Sequence, residues 1–350
     1  MDRDELLLRR LQGQFLLSPA DSVTVASGLC GLQAQFLRNA VHALRIRTKA
    51  ADVNGMVKTW TLRGTVHLIP EADLPLYIRH PGTAEDVCAS GWYGWTAGRG
   101  HANPPERERE LARVMAAAIG NGTDDREALR VHLQALGMTA AEESRVFDPW
   151  GGMIRELAEV GAIAFRVDLL DAAHPDETKR YRLLPPFAPM EEPAARQEIA
   201  RRYLTHYGPV TLRDAAYFLH WTQAEAKEAF ISIGADPVPC EGRTYWHIPA
   251  SEPLVDNLPP VILLAGFDPL MLGYRKEDNP FLPPEHLRGI FNLAGIVNPA
   301  LLLRGRVVGK WKESKGRMAF TAFEALSAAD MRRIEDEAAR LYTVKKCIWK

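Results

Sequence analysis

Three times along this 350-residue chain, helix-forming periodicity gives way to two short β-forming runs joined by a turn. That order limits the fold, because a helix shows its apolar residues every 3.6 or so positions and a strand every second one. Each stretch can hide its apolar face only by packing helices on a hairpin. In the first pass, Glu5 to Phe15 reads as helix on Leu6, Leu7, Leu8, Leu11 and Phe15. Ser18-Pro19 restarts a helix that runs to about Gly31, with Ser as cap and Pro in the first turn. Leu37 to Ile46 gives a third helix, and Thr59 to Ile69 reads as strand, turn, strand. Helix, helix, helix, hairpin is the order of a winged helix.

The second pass runs from Glu106 to Ile119, a helix opened by a Thr123 cap, and Trp150 to Val160. Ala162 to Val167 and Lys179 to Leu184 then pair as strands around Asp171 to Glu177. The third takes Pro193 to Tyr207, Leu212 to Leu219 capped by Thr211, Gln223 to Ile231 capped by Thr222, and a wing over Pro237 to Ile248 that turns near Glu241-Gly242-Arg243. No residue-level repeat accompanies this order. After a linker at Asp256 to Pro260 the texture changes to short apolar runs at Val261 to Leu264, Ala300 to Leu303, Val307 to Trp311 and Arg317 to Phe323, closed by a helix over Ser327 to Leu341. Arg304 to Phe320 is the clearest hairpin, turning at Glu313-Ser314-Lys315-Gly316. The expected fold is α+β: three tandem winged helix-turn-helix domains over residues 1–80, 81–190 and 191–256, and a C-terminal β-rich module over 257–350.

Bulk properties remove several function classes. Apolar content of 47% and charged content of 25% are those of an ordinary globular protein. No apolar run spans a bilayer and the first residues do not read as a signal peptide, so the expectation is a cytoplasmic protein without a membrane partner. Cys30, Cys88, Cys240 and Cys347 lie far apart with no zinc-ligand spacing, so neither metal nor cofactor is expected. The net charge of -1 hides an uneven distribution. Arg304, Arg306, Lys310, Lys312, Lys315 and Arg317 face only Glu313 within Leu301 to Met318, and Arg38 opens a second basic stretch that runs to Lys49. A local excess of this kind suits contact with a polyanion, or protection of an exposed strand edge.

One short motif has chemistry of its own. Gln33 and Gln35, separated by Ala34, cannot titrate or attack a substrate, but each amide offers a carbonyl acceptor and an NH2 donor. Two such groups can hold one water between them. On a helix, residues two apart diverge by about 200° and could not share it, whereas on extended backbone they face the same side. The pair is therefore expected at a helix end or loop between the second and third helices. On its own, a Gln-Ala-Gln is also an ordinary solvated turn.

Several stretches together carry a resemblance. Leu32-Gln33-Ala34-Gln35, Thr61 to His67, Gly208 to Thr211 with Asp214, Phe267 to Gly273, and Gly305 to Trp311 occur in order over nearly the whole chain. They resemble the AlkZ-like DNA glycosylases, in the branch whose signature is Gln-x-Gln. The chain departs from that pattern after Gly273, where Tyr274-Arg275-Lys276-Glu277-Asp278 does not align with the family's acidic–basic pair.

The resemblance implies three winged helices in a C shape around a barrel-like C-terminal module. It also implies a glycosylase that releases cationic N7- or N3-alkylated purines from double-stranded DNA and can unhook interstrand crosslinks. No lysine stands out as a Schiff-base nucleophile, so a monofunctional enzyme is expected, and the expected state is a monomer. Gln33 and Gln35 would be catalytic, with His67, Arg63 and Thr65 in support and the basic residues from Arg38 to Arg317 on DNA. Two other readings fit the same elements: a non-enzymatic transcriptional regulator whose glutamines touch bases or phosphates, and a protein-interaction scaffold. The Gly91-Trp92-Tyr93-Gly94-Trp95 cluster suits either a base-stacking loop or a hydrophobic plug.

Overall fold

The computed structural model describes residues 1–350 except 172, 173, 250–252 and 256. The expected linker over Asp256 to Pro260 and the connection over Asp171 to Glu177 therefore fall partly outside the described residues. In chain order the elements are α1 (Arg3–Gly13), α2 (Ser22–Gly28), β1 (Leu32–Gln33), α3 (Leu37–Arg45), β2 (Met56–Trp60), β3 (Val66–Pro70), α4 (Leu74–Tyr77), α5 (Gly91–Ala97) and α6 (Pro105–Gly120). There follow α7 (Arg126–Ala135), α8 (Ala140–Val146), α9 (Gly152–Glu159), β4 (Ile163–Phe165), β5 (Tyr181–Leu183), α10 (Glu192–Tyr207), α11 (Leu212–Leu219), α12 (Gln223–Ser232), β6 (Asp236–Cys240) and β7 (Arg243–His247). The chain ends with β8 (Val261–Leu263), α13 (Pro269–Leu272), α14 (Leu287–Ile290), β9 (Ala300–Leu303), β10 (Arg306–Ser314), β11 (Arg317–Ala322), α15 (Ala328–Leu341) and β12 (Lys346–Trp349). No helix among the described residues is long and apolar enough to cross a membrane.

The chain divides into two compact units. One comprises Met1–Asn54, Leu169–Pro175 and Arg196–Lys350, the other Gly55–Asp168 and Asp176–Ala195. In the first, the C-terminal sheet has the order β12-β11-β10-β9-β8, with β11 and β12 parallel and the other pairs antiparallel. This corrects the barrel-like expectation: β8 and β12 are its two edges and the sheet stays open. One face packs α15, burying Leu263, Leu301, Val308, Trp311, Met318 and Phe320 against Ile334, Ala338 and Leu341. The β10–β11 hairpin closes through Lys315 and Gly316, both at positive φ (51° and 80°). That is the two-residue turn whose backbone twist matches its strands. The β6–β7 wing turns the same way through Glu241 and Gly242.

In the second unit β2 lies between β3 and β4, and β5 pairs beyond β4. Helices α6, α7 and α9 bury Leu111, Met115, Leu129, Leu133, Met153 and Leu157 on that sheet's Ile163, Phe165 and Tyr181.

Local chemistry moves several expected boundaries. Asp21, not Ser18, caps α2, its carboxylate accepting from Thr24 N. Asp125, not Thr123, caps α7. Helix α8, opened by a Thr139–Glu142 capping box, and strand β12 were not expected at all. Thr211 and Thr222 cap α11 and α12 as their spacing to Asp214 and Glu225 predicts.

Candidate functional site

Two left-handed residues end α2 and send the chain into the glutamine motif. Cys30 and Gly31 have φ of 55° and 86°, and Gly31 N donates back to Ala26 O at 2.8 Å. Leu29 O accepts from Tyr207 Oη at 2.9 Å, fixing the chain four residues before Gln33. Gln33 ends β1, and Gln35 lies in the bend before α3. Both therefore sit between α2 and α3 and outside either helix. Leu32 and Ala34 are 0% exposed, while Gln33 is half-buried and Gln35 exposed. That alternation turns the two apolar residues inward and leaves Gln33 and Gln35 on the more accessible side.

Helix α3 follows at once and is held by three buried contacts within its own unit. His42 Nε2 donates to Leu263 O at 2.7 Å, so its Nδ1 accepts from Tyr342 Oη at 2.6 Å. Burial holds this imidazole neutral, lowering its pKa to about 4. Arg47 meets Asp268 through two bonds at 2.6 and 3.1 Å, both side chains inaccessible. Asn39 packs on Gly266, where an added Cβ would come within 2.8 Å of its amide nitrogen. Arg38 stands exposed on the first turn, over the Phe36 ring at 5.8 Å.

The Thr61 to His67 segment belongs to the other unit. It is a tight connection in which Arg63 and Gly64 both take positive φ, and Thr61 N donates to Thr65 O at 3.1 Å. His67 is buried on β3, with Nδ1 2.8 Å from Thr61 Oγ1 and 3.0 Å from Thr65 O. Thr65 Oγ1 donates to Leu62 O at 3.3 Å. Burial, aided by the positive charge of Arg63, lowers the His67 pKa to about 3. At neutral pH His67 is an uncharged brace for this loop.

The basic residues of the C-terminal unit separate into two sets. Arg304 sits in the turn before β10 rather than on it, bonded to Asp330 at 2.6 Å. Arg306 is shared between Glu285 and Glu324 at 3.1 and 3.2 Å. Lys310, Lys312, Lys315 and Arg317 form no ion pair among the described residues, and the last three are exposed. Trp311 points the other way into the core, donating Nε1–H to Leu264 O.

Three arrangements escaped the sequence. Arg47–Asp268 is one, since nothing local relates residues 221 apart. The second is a buried triad in which Arg145 lies 2.9 Å from Glu108 and 3.1 Å from Glu156. Burial, reinforced by Glu108, raises Glu156 to about 9, so this triad keeps a proton at neutral pH. The third is the aromatic cluster, which forms the helix α5 despite two glycines.

Comparison with known proteins places the chain in a family. The family model for DNA glycosylase AlkZ-like matches residues 26–344. The interstrand DNA cross-link repair glycosylase of Streptomyces sahachiroi is 27% identical over 360 residues, covering 95% of this chain and 93% of that protein. The solved structure of Streptomyces sahachiroi DNA glycosylase AlkZ superposes with a TM-score of 0.75 at 23% identity over 100% of both chains, a likeness of fold. With the family model matched over nearly its whole length, the chain belongs to the AlkZ-like DNA glycosylases.

Proposed function

We propose that this glycosylase hydrolyses the N-glycosidic bond of cationic N7- or N3-alkylated purines in double-stranded DNA, with Gln33 and Gln35 positioning the water. The observation that carries this reading is the alternation of buried Leu32 and Ala34 with accessible Gln33 and Gln35. Their amide oxygens accept hydrogen bonds from the water as it approaches C1′. The C1′–N bond breaks with both electrons going to the base, which leaves neutral because alkylation had made it positive. Water oxygen bonds C1′, and its surplus proton passes to solvent, since an amide is too weak a base to keep it.

No acid is needed for such a leaving group, and a neutral His67 accords with that. Neutral catalysts stabilise an oxocarbenium-like sugar only weakly, so unmodified purines stay intact. Interstrand crosslinks fall within the same chemistry, and the name of the Streptomyces sahachiroi relative supports including them. Lys312, Lys315 and Arg317, exposed and without an ion pair among the described residues, are assigned to phosphates, together with the exposed Arg38. Arg63 and Thr65 shape the loop that His67 braces. The reading as a cytoplasmic monomer with three winged helices belongs to this proposal. Its winged-helix part is supported by the capped helices α11 and α12 and the tight β6–β7 hairpin.

A duplex carrying N7-methylguanine, and a second carrying a nitrogen-mustard crosslink, give the direct test. Alkali-labile abasic sites are expected from both; their absence from both overturns the proposal. Borohydride should trap no covalent complex with abasic DNA. The lysine to examine is Lys58, whose amine is lowered to about 8 by burial beside Phe165.

A further inference from the structure

Within the second unit, four planar groups stack in series. Arg155 Cζ lies 4.3 Å from the Trp92 ring centre, Trp92 and Trp95 stack at 4.9 Å and 14°, and Arg99 Cζ lies 4.0 Å from Trp95. The foot of this stack is built in. Glu159 accepts from Arg155 Nε at 2.6 Å and from Trp92 N at 2.8 Å. Thr96 Oγ1 donates to the carbonyls of Trp92 and Tyr93, and Arg145 donates to that same hydroxyl at 3.3 Å. Tyr93 Oη donates to Asn103 O at 3.0 Å, and Ser90 caps the helix.

The other end is open. Trp95 is 49% exposed, unusual for the largest apolar side chain on a short helix. A Cβ at Gly94 would meet nothing within 4 Å, so that face of α5 is unobstructed. Arg99 bonds only to Trp95 O at 3.2 Å and pairs with no carboxylate among the described residues. One guanidinium face lies on indole, leaving its other face and most of its donors to solvent.

We propose that Trp95 and Arg99 form a contact for an unpaired nucleobase of DNA. This rests on the glycosylase reading above and adds a binding element to it. The next rung on such a stack must be flat and polarisable, as every base is. The free edge of Arg99 then meets the adjoining phosphate in the forked geometry a guanidinium prefers. An acidic peptide would satisfy the charge but leave the exposed indole and the planar face unused. A base still paired within a helix has both faces covered by its neighbours and offers none to this stack. The contact therefore selects DNA in which a nucleotide is displaced, as beside a distorting lesion.

Fluorescence anisotropy on a labelled duplex with one bulged base, and on its fully paired counterpart, at one fixed salt concentration, tests this. For Trp95→Ala, affinity for the bulged duplex is expected to fall about 5- to 150-fold, the range of one stacking contact, with little change on the paired duplex. Trp95→Phe should retain most of that preference, which controls for folding, and Arg99→Gln should weaken binding to the bulged duplex. Equal affinities of Trp95→Ala and wild type, or an equal loss on both duplexes, overturn the proposal. Failure of the wild-type protein to bind either duplex would instead remove the glycosylase reading, and this contact with it.

Discussion

Arg47 and Asp268 face each other through two hydrogen bonds, both fully buried, one at the end of the helix that follows the glutamine motif and the other 221 residues away. Each is otherwise well supplied. Arg47 also donates to Gln14 O and Ala43 O, and Asp268 also accepts from Ala265 N and Leu270 N. A buried ion pair adds little net stability over an apolar substitute, but removing one partner strands the other charge. Asp268→Ala should therefore cost about 3–5 kcal/mol in urea unfolding. A loss near the size of a surface substitution would show that the pair is dispensable.

The Glu108–Arg145–Glu156 triad makes stability fall as pH rises above the ordinary carboxylate range. Burial and the neighbouring Glu108 raise Glu156 from 4.5 to about 9 in the folded protein, so the folded state holds a proton that the unfolded chain releases. A carboxyl raised in this way contributes fully below its unfolded pKa, and the contribution is lost as pH climbs through the folded value. The urea midpoint should decline from 4.5 towards about 9, and Glu156→Gln, which keeps the hydrogen but cannot ionise, should flatten that slope. An unchanged slope in the variant would contradict the assignment.

On the acid side the buried histidines act in the opposite sense. His42 and His67 are lowered from 6.5 to about 4 and about 3. Their stabilising contribution is present above 6.5 and lost as pH falls through those folded values, because the unfolded chain gains the protons first. Replacing His67 with Gln should make the acid limb of the thermal-melting profile shallower. The rate of base release should show no inflection from His67 near neutrality.

The two sets of basic residues should behave differently on DNA. Arg304 and Arg306 already meet Asp330, Glu285 and Glu324, so their loss should scarcely change duplex affinity. Alanine at Lys312, Lys315 or Arg317 should weaken binding to any sequence and reduce the salt slope by about one for each phosphate contact removed. Titration over a range of salt separates these outcomes. Equal effects from both sets would mean that the intramolecular pairs open on DNA.

Much of this was legible in the sequence because it is local. Thr211 and Thr222 announce their helices through an acid three residues on, and Lys315-Gly316 announces its turn. Placement of Gln33 and Gln35 outside a helix was expected from the requirement that residues two apart reach one water. What failed was long-range or competitive. Ser18-Pro19 reads as a start, but Asp21 reaches Thr24 N and wins the cap. Strand β12 pairs parallel to β11 across α15, which no turn signals. Only β8 to β12 seen together show that the sheet remains open. Trp92, Trp95 and their arginines could be counted in the sequence, but their order in the stack required the fold.

Single-turnover release of N7-methylguanine from duplex DNA by Gln33→Ala, Gln35→Ala and the double variant measures the central claim. Each single change should slow release about 100-fold or more while duplex affinity is kept, the size of losing one positioned polar group. If both amides hold one water, as proposed, the double variant should be little worse than either single one. Release at the wild-type rate from both single variants would take the glutamines out of the chemistry.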